Sequence, residues 1–157
     1  MKVKYYPATE KCTTCGGACC KGYAGIVLPE QIPGDSIQEQ AAELVKMLRS
    51  KKYCLDYWEA SPCIYFVRPS HKEWKGELID ASWGGECVFL GSRGCRLKPD
   101  KRPAQCQMLE PTEDKCVGHF GGKLPGAKAW RQHGLYPLLL DIVRGLDFDE
   151  ISERYCK

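Results

Sequence analysis

Four cysteines fall within nine positions, Cys12-Thr13-Thr14-Cys15-Gly16-Gly17-Ala18-Cys19-Cys20, in a chain that carries 11 cysteines among 157 residues. A stretch with so little apolar pattern gains its order from bonds to sulfur. Thiolates are soft donors that hold zinc, copper(I) or iron–sulfur clusters. A Cys-x-x-Cys spacing lets one turn of backbone present two sulfurs to one centre. The two glycines permit a tight turn and leave backbone N–H groups free to point at those sulfurs.

Disulfides are the competing use of so many cysteines. An odd count leaves one thiol over in any full disulfide framework. The opening Met1-Lys2-Val3-Lys4-Tyr5-Tyr6-Pro7 lacks the apolar stretch of a signal peptide, and no run approaches the length of a membrane span. The expected compartment is therefore a reducing cytoplasm, where structural disulfides are rare and metal ligation is favoured. The net charge of +3 is small and no basic stripe is present, which argues against nucleic acid and acidic lipid as partners. With 27% charged and 43% hydrophobic residues, residues 1–157 are expected to form a single α+β domain around one modest core.

Residues 1–34 read as loop with short extended pieces such as Gly25-Ile26-Val27-Leu28. Ile37, Ala41, Leu44, Val45 and Leu48 recur at helical spacing, so the pattern predicts an amphipathic helix over 36–51, capped by Asp35 with Gln38 at the capping-box position. Residues 53–58 and 63–68 are aromatic or β-branched and read as a hairpin, with extension of the preceding helix as the alternative for the first segment. Residues 69–86 read as irregular. A final helical region begins near Ala127, runs through Leu135, Leu138, Leu139, Ile142 and Val143, and ends at Gly145. Asp147 or Asp149 caps a last short helix.

The second cysteine block reads Glu86-Cys87-Val88-Phe89-Leu90-Gly91-Ser92-Arg93-Gly94-Cys95, then Arg102-Pro103-Ala104-Gln105-Cys106. Together the two blocks resemble the YkgJ-like cysteine-cluster proteins, described as a zinc- or iron-chelating domain. Their pattern is Cys-x-x-Cys-Gly-x-Cys-Cys, then a Cys followed by Phe-Leu, a further Cys, and Arg-Pro-x-x-Cys. The match covers residues 12–20 and 86–106. It departs at one place: three residues, not two, separate Cys15 from Cys19, which puts the usual geometry around Cys19 and Cys20 in question.

The resemblance implies metal chelation by Cys12, Cys15, Cys19, Cys20, Cys87, Cys95 and Cys106. Cys116, with His119 at Cys-x-x-His spacing, is a further candidate. Neighbouring side chains diverge, so Cys19 and Cys20 suggest two centres, or one ligand and one supporting thiol. Ligands dispersed over Gly-rich loops lean toward an iron–sulfur cluster over zinc, although ligand count alone does not separate the two. The function expected is a redox, modification or accessory role acting on a protein or small-molecule substrate. The alternative is a zinc-stapled interaction module without catalysis. Similarity of larger relatives to flagellin lysine methylases brings in S-adenosylmethionine by family analogy only. A structural zinc site contributes about 10–16 kcal/mol, more than the net stability of many domains, so metal-free protein is expected to be largely unfolded around the cysteine blocks.

Other residues carry plainer expectations. Cys54 and Cys63 lie in apolar segments and read as packed thiols, and Cys156 as a free one. His71 and His133 read as solvent-facing or capping, and His119 as a surface histidine unless it joins Cys116. Arg93, Arg96, Lys98, Lys101 and Arg102 either meet an anion or hydrogen-bond the loop backbone. The four tryptophans read mainly as core. Residues 143–151 read as the turn of a helical hairpin rather than a DNA-binding helix-turn-helix.

Overall fold

The computed structural model describes residues 17–74, 77–80, 82, 84–113 and 116–157. Cys12, Cys15 and Trp83 lie outside them. The described residues form six α-helices and three two-stranded antiparallel sheets, the mixed α+β content expected. The helices are α1 (Ala18–Gly22), α2 (Ile37–Arg49), α3 (Ala104–Gln107), α4 (Leu124–Arg131), α5 (Tyr136–Val143) and α6 (Phe148–Tyr155). The strands are β1 (Tyr53–Trp58), β2 (Ile64–Pro69), β3 (Leu90–Gly91), β4 (Gly94–Cys95), β5 (Leu109–Pro111) and β6 (Cys116–Gly118). No helix among the described residues is long and apolar enough to cross a membrane.

The hairpin β1–β2 is the centre of the molecule. Leu55 faces Val67 and Asp56 faces Phe66 in its register. Neither strand shows clean polar–apolar alternation, because both faces are covered. Its outer edges are covered too: Val27 N–H donates to the Val67 carbonyl at 3.0 Å, and Leu55 N–H donates to the Leu78 carbonyl at 2.8 Å. Unpaired strand edges would otherwise invite another chain. The core joins Leu44 and Leu48 of α2, Leu55 and Phe66 of the hairpin, Trp130 of α4, Leu138 and Leu139 of α5 and Ile151 of α6. Trp130 also donates its indole N–H to the Val27 carbonyl at 2.7 Å, so the largest buried ring has its polar atom satisfied.

Two element boundaries differ from the sequence reading. Ser36, not Asp35, caps α2: its hydroxyl accepts from Glu39 N–H at 3.1 Å, while the Glu39 carboxylate accepts from Asp35 N–H at 2.7 Å. The N-cap bond is thus made one residue later than foreseen, and the Glu39 carboxylate reaches back past the N-cap to Asp35 rather than closing a capping box on Ser36. The helical region expected from near Ala127 is two helices, α4 and α5, each with proline in its first turn. Pro137 has no N–H to continue a helix from residue 133, so the chain restarts there, with His133 Nδ1 accepting from Leu135 N–H at 3.1 Å. Gly145, at φ 100°, ends α5, and Asp147 caps α6 by accepting from Glu150 N–H at 2.8 Å.

Candidate metal centre

Two segments read as loop contain short helices, and both carry candidate ligands. Helix α1 bears Cys19 and Cys20. Its N-cap, Gly17, sits at φ 74°, and a Cβ there would stand 2.5 Å from Leu90 Cδ1 and 3.2 Å from Gly94 Cα. Glycine is thus needed for both conformation and space, and the helix start rests directly on the β3–β4 turn. Cys87 N–H donates to the Cys20 carbonyl at 2.8 Å, a direct backbone tie between the two cysteine blocks. Helix α3 follows Pro103 and bears Cys106. Gln105 holds it against Ile26: the Gln105 side-chain carbonyl accepts from Ile26 N–H at 2.9 Å, and Gln105 N–H donates to the Ile26 carbonyl at 3.2 Å.

These ties bring Cys19, Cys20, Cys87, Cys95 and Cys106 around one cavity of about 180 Å³, walled also by Tyr23, Phe89 and Leu97. The companions of the cysteines have visible jobs. Phe89 walls the cavity, and Leu90 fills the space under Gly17. Arg102 Nε donates to the Leu97 carbonyl at 3.2 Å, and Arg96 Nη2 donates to the Val88 carbonyl at 2.7 Å. Both arginines therefore fasten the backbone of the cysteine loops, Arg96 from the solvent side.

The sulfurs influence one another. Cys20 donates its S–H toward Cys19, which pulls the Cys19 thiol down to about 6 and drives the Cys20 thiol upward. Burial, reinforced by Cys87 and Cys19, pushes the Cys106 thiol up, although the Gly25 backbone N–H acts the other way on the same sulfur. Burial also raises Cys87 against the opposing pull of the Phe89 backbone N–H. Neighbouring thiols resist ionising together in the absence of a cation, which is the electrostatic character a bound metal reverses. A Cβ on Gly25 would lie 2.4 Å from Cys106 Sγ.

Among the described residues, no group of three His, Cys, Asp or Glu side chains stands ready to hold a metal ion. Cys12 and Cys15 fall outside those residues. Cys116 is half-buried in β6 and does not line the cavity. His119, expected as surface or as a partner of Cys116, is exposed and pairs with Glu110 at 2.7 Å. Cys54 is buried as foreseen, with Arg68 Nη1 donating to its sulfur at 3.4 Å, while Cys63 is only half-buried. Cys156 is half-buried and packs against the core.

His71 departs most from the sequence reading. It is 2% exposed, not solvent-facing. Its Nε2 accepts from Ala24 N–H at 3.0 Å, and its Nδ1 meets the Ser82 hydroxyl at 2.7 Å. The proton therefore sits on Nδ1. Ser82 in turn donates to Asp80. Arg68, fully buried, reaches Asp56 at 2.8 Å and Asp80 at 3.1 Å. Tyr23 donates to Asp56 at 2.6 Å. Burial and the Arg68 charge depress His71 to about 4, leaving it neutral. Since Tyr23 and Ala24 wall the thiol cavity, this network anchors the segment between Cys20 and Gly25. Nothing in the local sequence marks His71, Asp80 or Tyr23 for that work.

No family model, curated protein or solved structure matches the chain. The likeness to the YkgJ-like proteins rests on the residues of the two cysteine blocks alone.

Proposed function

We propose that this chain binds metal through the cysteines around the 180 Å³ cavity, as an iron–sulfur protein with a redox or accessory role. The carrying observation is convergence: five thiols from three separate segments meet at one place. Cys19, Cys20, Cys87, Cys95 and Cys106 would hold the centre, with Cys12 and Cys15 supplied from the preceding segment. Zn–S bonds of about 2.3 Å draw four sulfurs tightly around a single ion. The cavity is wider than such an ion needs, which supports a polynuclear centre. Backbone N–H groups of Gly25 and Phe89 acting on sulfur are the kind of contact that tunes cluster potential. A bound cluster would supply one-electron chemistry, and the protein residues would set its potential and exclude water.

Anaerobic purification with metal and sulfide analysis and a visible spectrum tests this. A brown protein with stoichiometric iron and sulfide is expected. Cys87→Ser and Cys106→Ser should each lose most of the metal, whereas Cys63→Ser should keep it. Stoichiometric zinc in a colourless protein would replace the cluster with a structural staple. Absence of any bound metal would end the proposal.

A further inference from the structure

We infer that the cleft between the end of α2, the start of β1 and the first turn of α6 is a second binding site, for a small planar aromatic anion. It is a cavity of about 270 Å³ and shares no lining residue with the thiol cavity. Three aromatic side chains from remote segments, Tyr53, Trp74 and Phe148, wall it, and all three are only half-buried. Tyr53 and Phe148 pack on the hydrophobic core with part of each ring. Together with Trp74 they turn the remaining part to the cleft, which offers flat apolar surface to a ring of one or two fused cycles.

The charges at the rim admit an anion in exchange for an existing carboxylate. Arg49 and Lys51 stand there with Glu77 of the lining and with Asp149, which pairs with Arg49. The Arg49 guanidinium lies 5.0 Å from the Phe148 ring centroid and meets Asp149 at 3.2 Å. That ion pair is exposed, with Asp149 at 96%, so it is weak and readily exchanged. A ligand carboxylate attached to a buried aryl ring brings the same charge together with apolar area, and a guanidinium donates two parallel hydrogen bonds to it. Lys51 is held at the rim in a costly conformation. It is the one non-glycine residue at positive φ among the described residues, at 61°. The Ser70 hydroxyl clamps it there by donating to the Lys51 carbonyl at 3.1 Å. Tyr53 forms the wall toward the metal centre, its ring 5.4 Å from that of Phe89.

Titration of the full chain with 2-naphthoate, followed by calorimetry and tryptophan fluorescence, tests the site. Saturable one-to-one binding is expected, with neutral 2-naphthylmethanol at least tenfold weaker. Arg49→Ala should weaken 2-naphthoate at least tenfold with an unchanged circular-dichroism spectrum, and Lys51→Ala should weaken it severalfold. Trp74→Phe should keep the heat of binding and lose most of the fluorescence change. No saturable heat, equal affinity for the neutral alcohol, or indifference to both Arg49→Ala and Lys51→Ala would overturn the inference.

Discussion

At Gly25 a side chain of one hydrogen is what allows Cys106 to reach the thiol cavity. An added Cβ would meet Cys106 Sγ at 2.4 Å and the Cys106 backbone nitrogen at 3.2 Å. The nitrogen belongs to the first turn after Pro103 and has no freedom to retreat. Gly25→Ala is expected to destabilise the chain by about 1–3 kcal/mol, the usual cost of overpacking, and to lower bound metal per chain by half or more. Gly22→Ala is the control, since nothing lies within 4 Å of a Cβ there. Denaturant unfolding and metal analysis on both variants check it. The thiols that line the cavity are legible in the sequence as a group because cysteine chemistry travels with the residue type. Gly25 and His71 are not, because their importance comes from what approaches them across the fold.

Elements of four or five residues pose a different problem. Helix α3 is far too short to form alone, since nucleation costs more than one turn returns. It exists because side chains elsewhere accept and donate to its ends. Gln31 does most of this. Its Oε1 accepts from Ala104 N–H at 2.7 Å and from Leu28 N–H at 3.0 Å, and its Nε2 donates to the Arg102 carbonyl at 3.0 Å. Gln31→Ala is expected to cost about 1–3 kcal/mol by leaving the partly buried N–H groups of Ala104 and Leu28 unpaired, while the Arg102 carbonyl keeps Gln107 Nε2 at 2.7 Å. Amide hydrogen exchange should quicken over residues 102–107 and at Leu28, while α2 stays protected. Helix α2 and the β1–β2 hairpin could be read from the sequence because each repeats its pattern over several residues. Helices α1 and α3 could not, since a single turn shows no period and its cause lies in partners such as Gln31. The division of the last helical region into α4 and α5 was legible in principle at Pro137, but the apolar spacing carried across it.

At the scale of the whole molecule, the thiol cavity and the hydrophobic core are joined by one buried charged network. Arg68 and Lys123 balance Asp56 and Asp80, so a third positive charge on His71 has no counterion to spare. That is why His71 stays neutral, depressed to about 4 by burial and by Arg68. An unfolded histidine titrates near 6.5. Between those values the unfolded chain binds a proton that the folded one refuses, so stability rises with pH across this window and falls on acidification. Asp80 works in a lower window. Burial alone would raise it, but Ser82 and Arg68 outweigh that and lower it, so its contribution is lost only below the ordinary carboxylate range. From pH 7.5 to pH 5 the stabilising free energy is therefore expected to fall by about 1–2 kcal/mol through His71. His71→Gln keeps an acceptor for Ala24 N–H and removes the titration. Its stability should be lower than wild type at pH 7.5, and the gap should narrow at pH 5. Urea unfolding of both proteins at the two pH values, with metal loading matched, measures this difference. A gap that stays constant with pH would mean that His71 takes up its proton as readily in the folded chain as in the unfolded one, and that the charge balance around Arg68 is drawn wrongly.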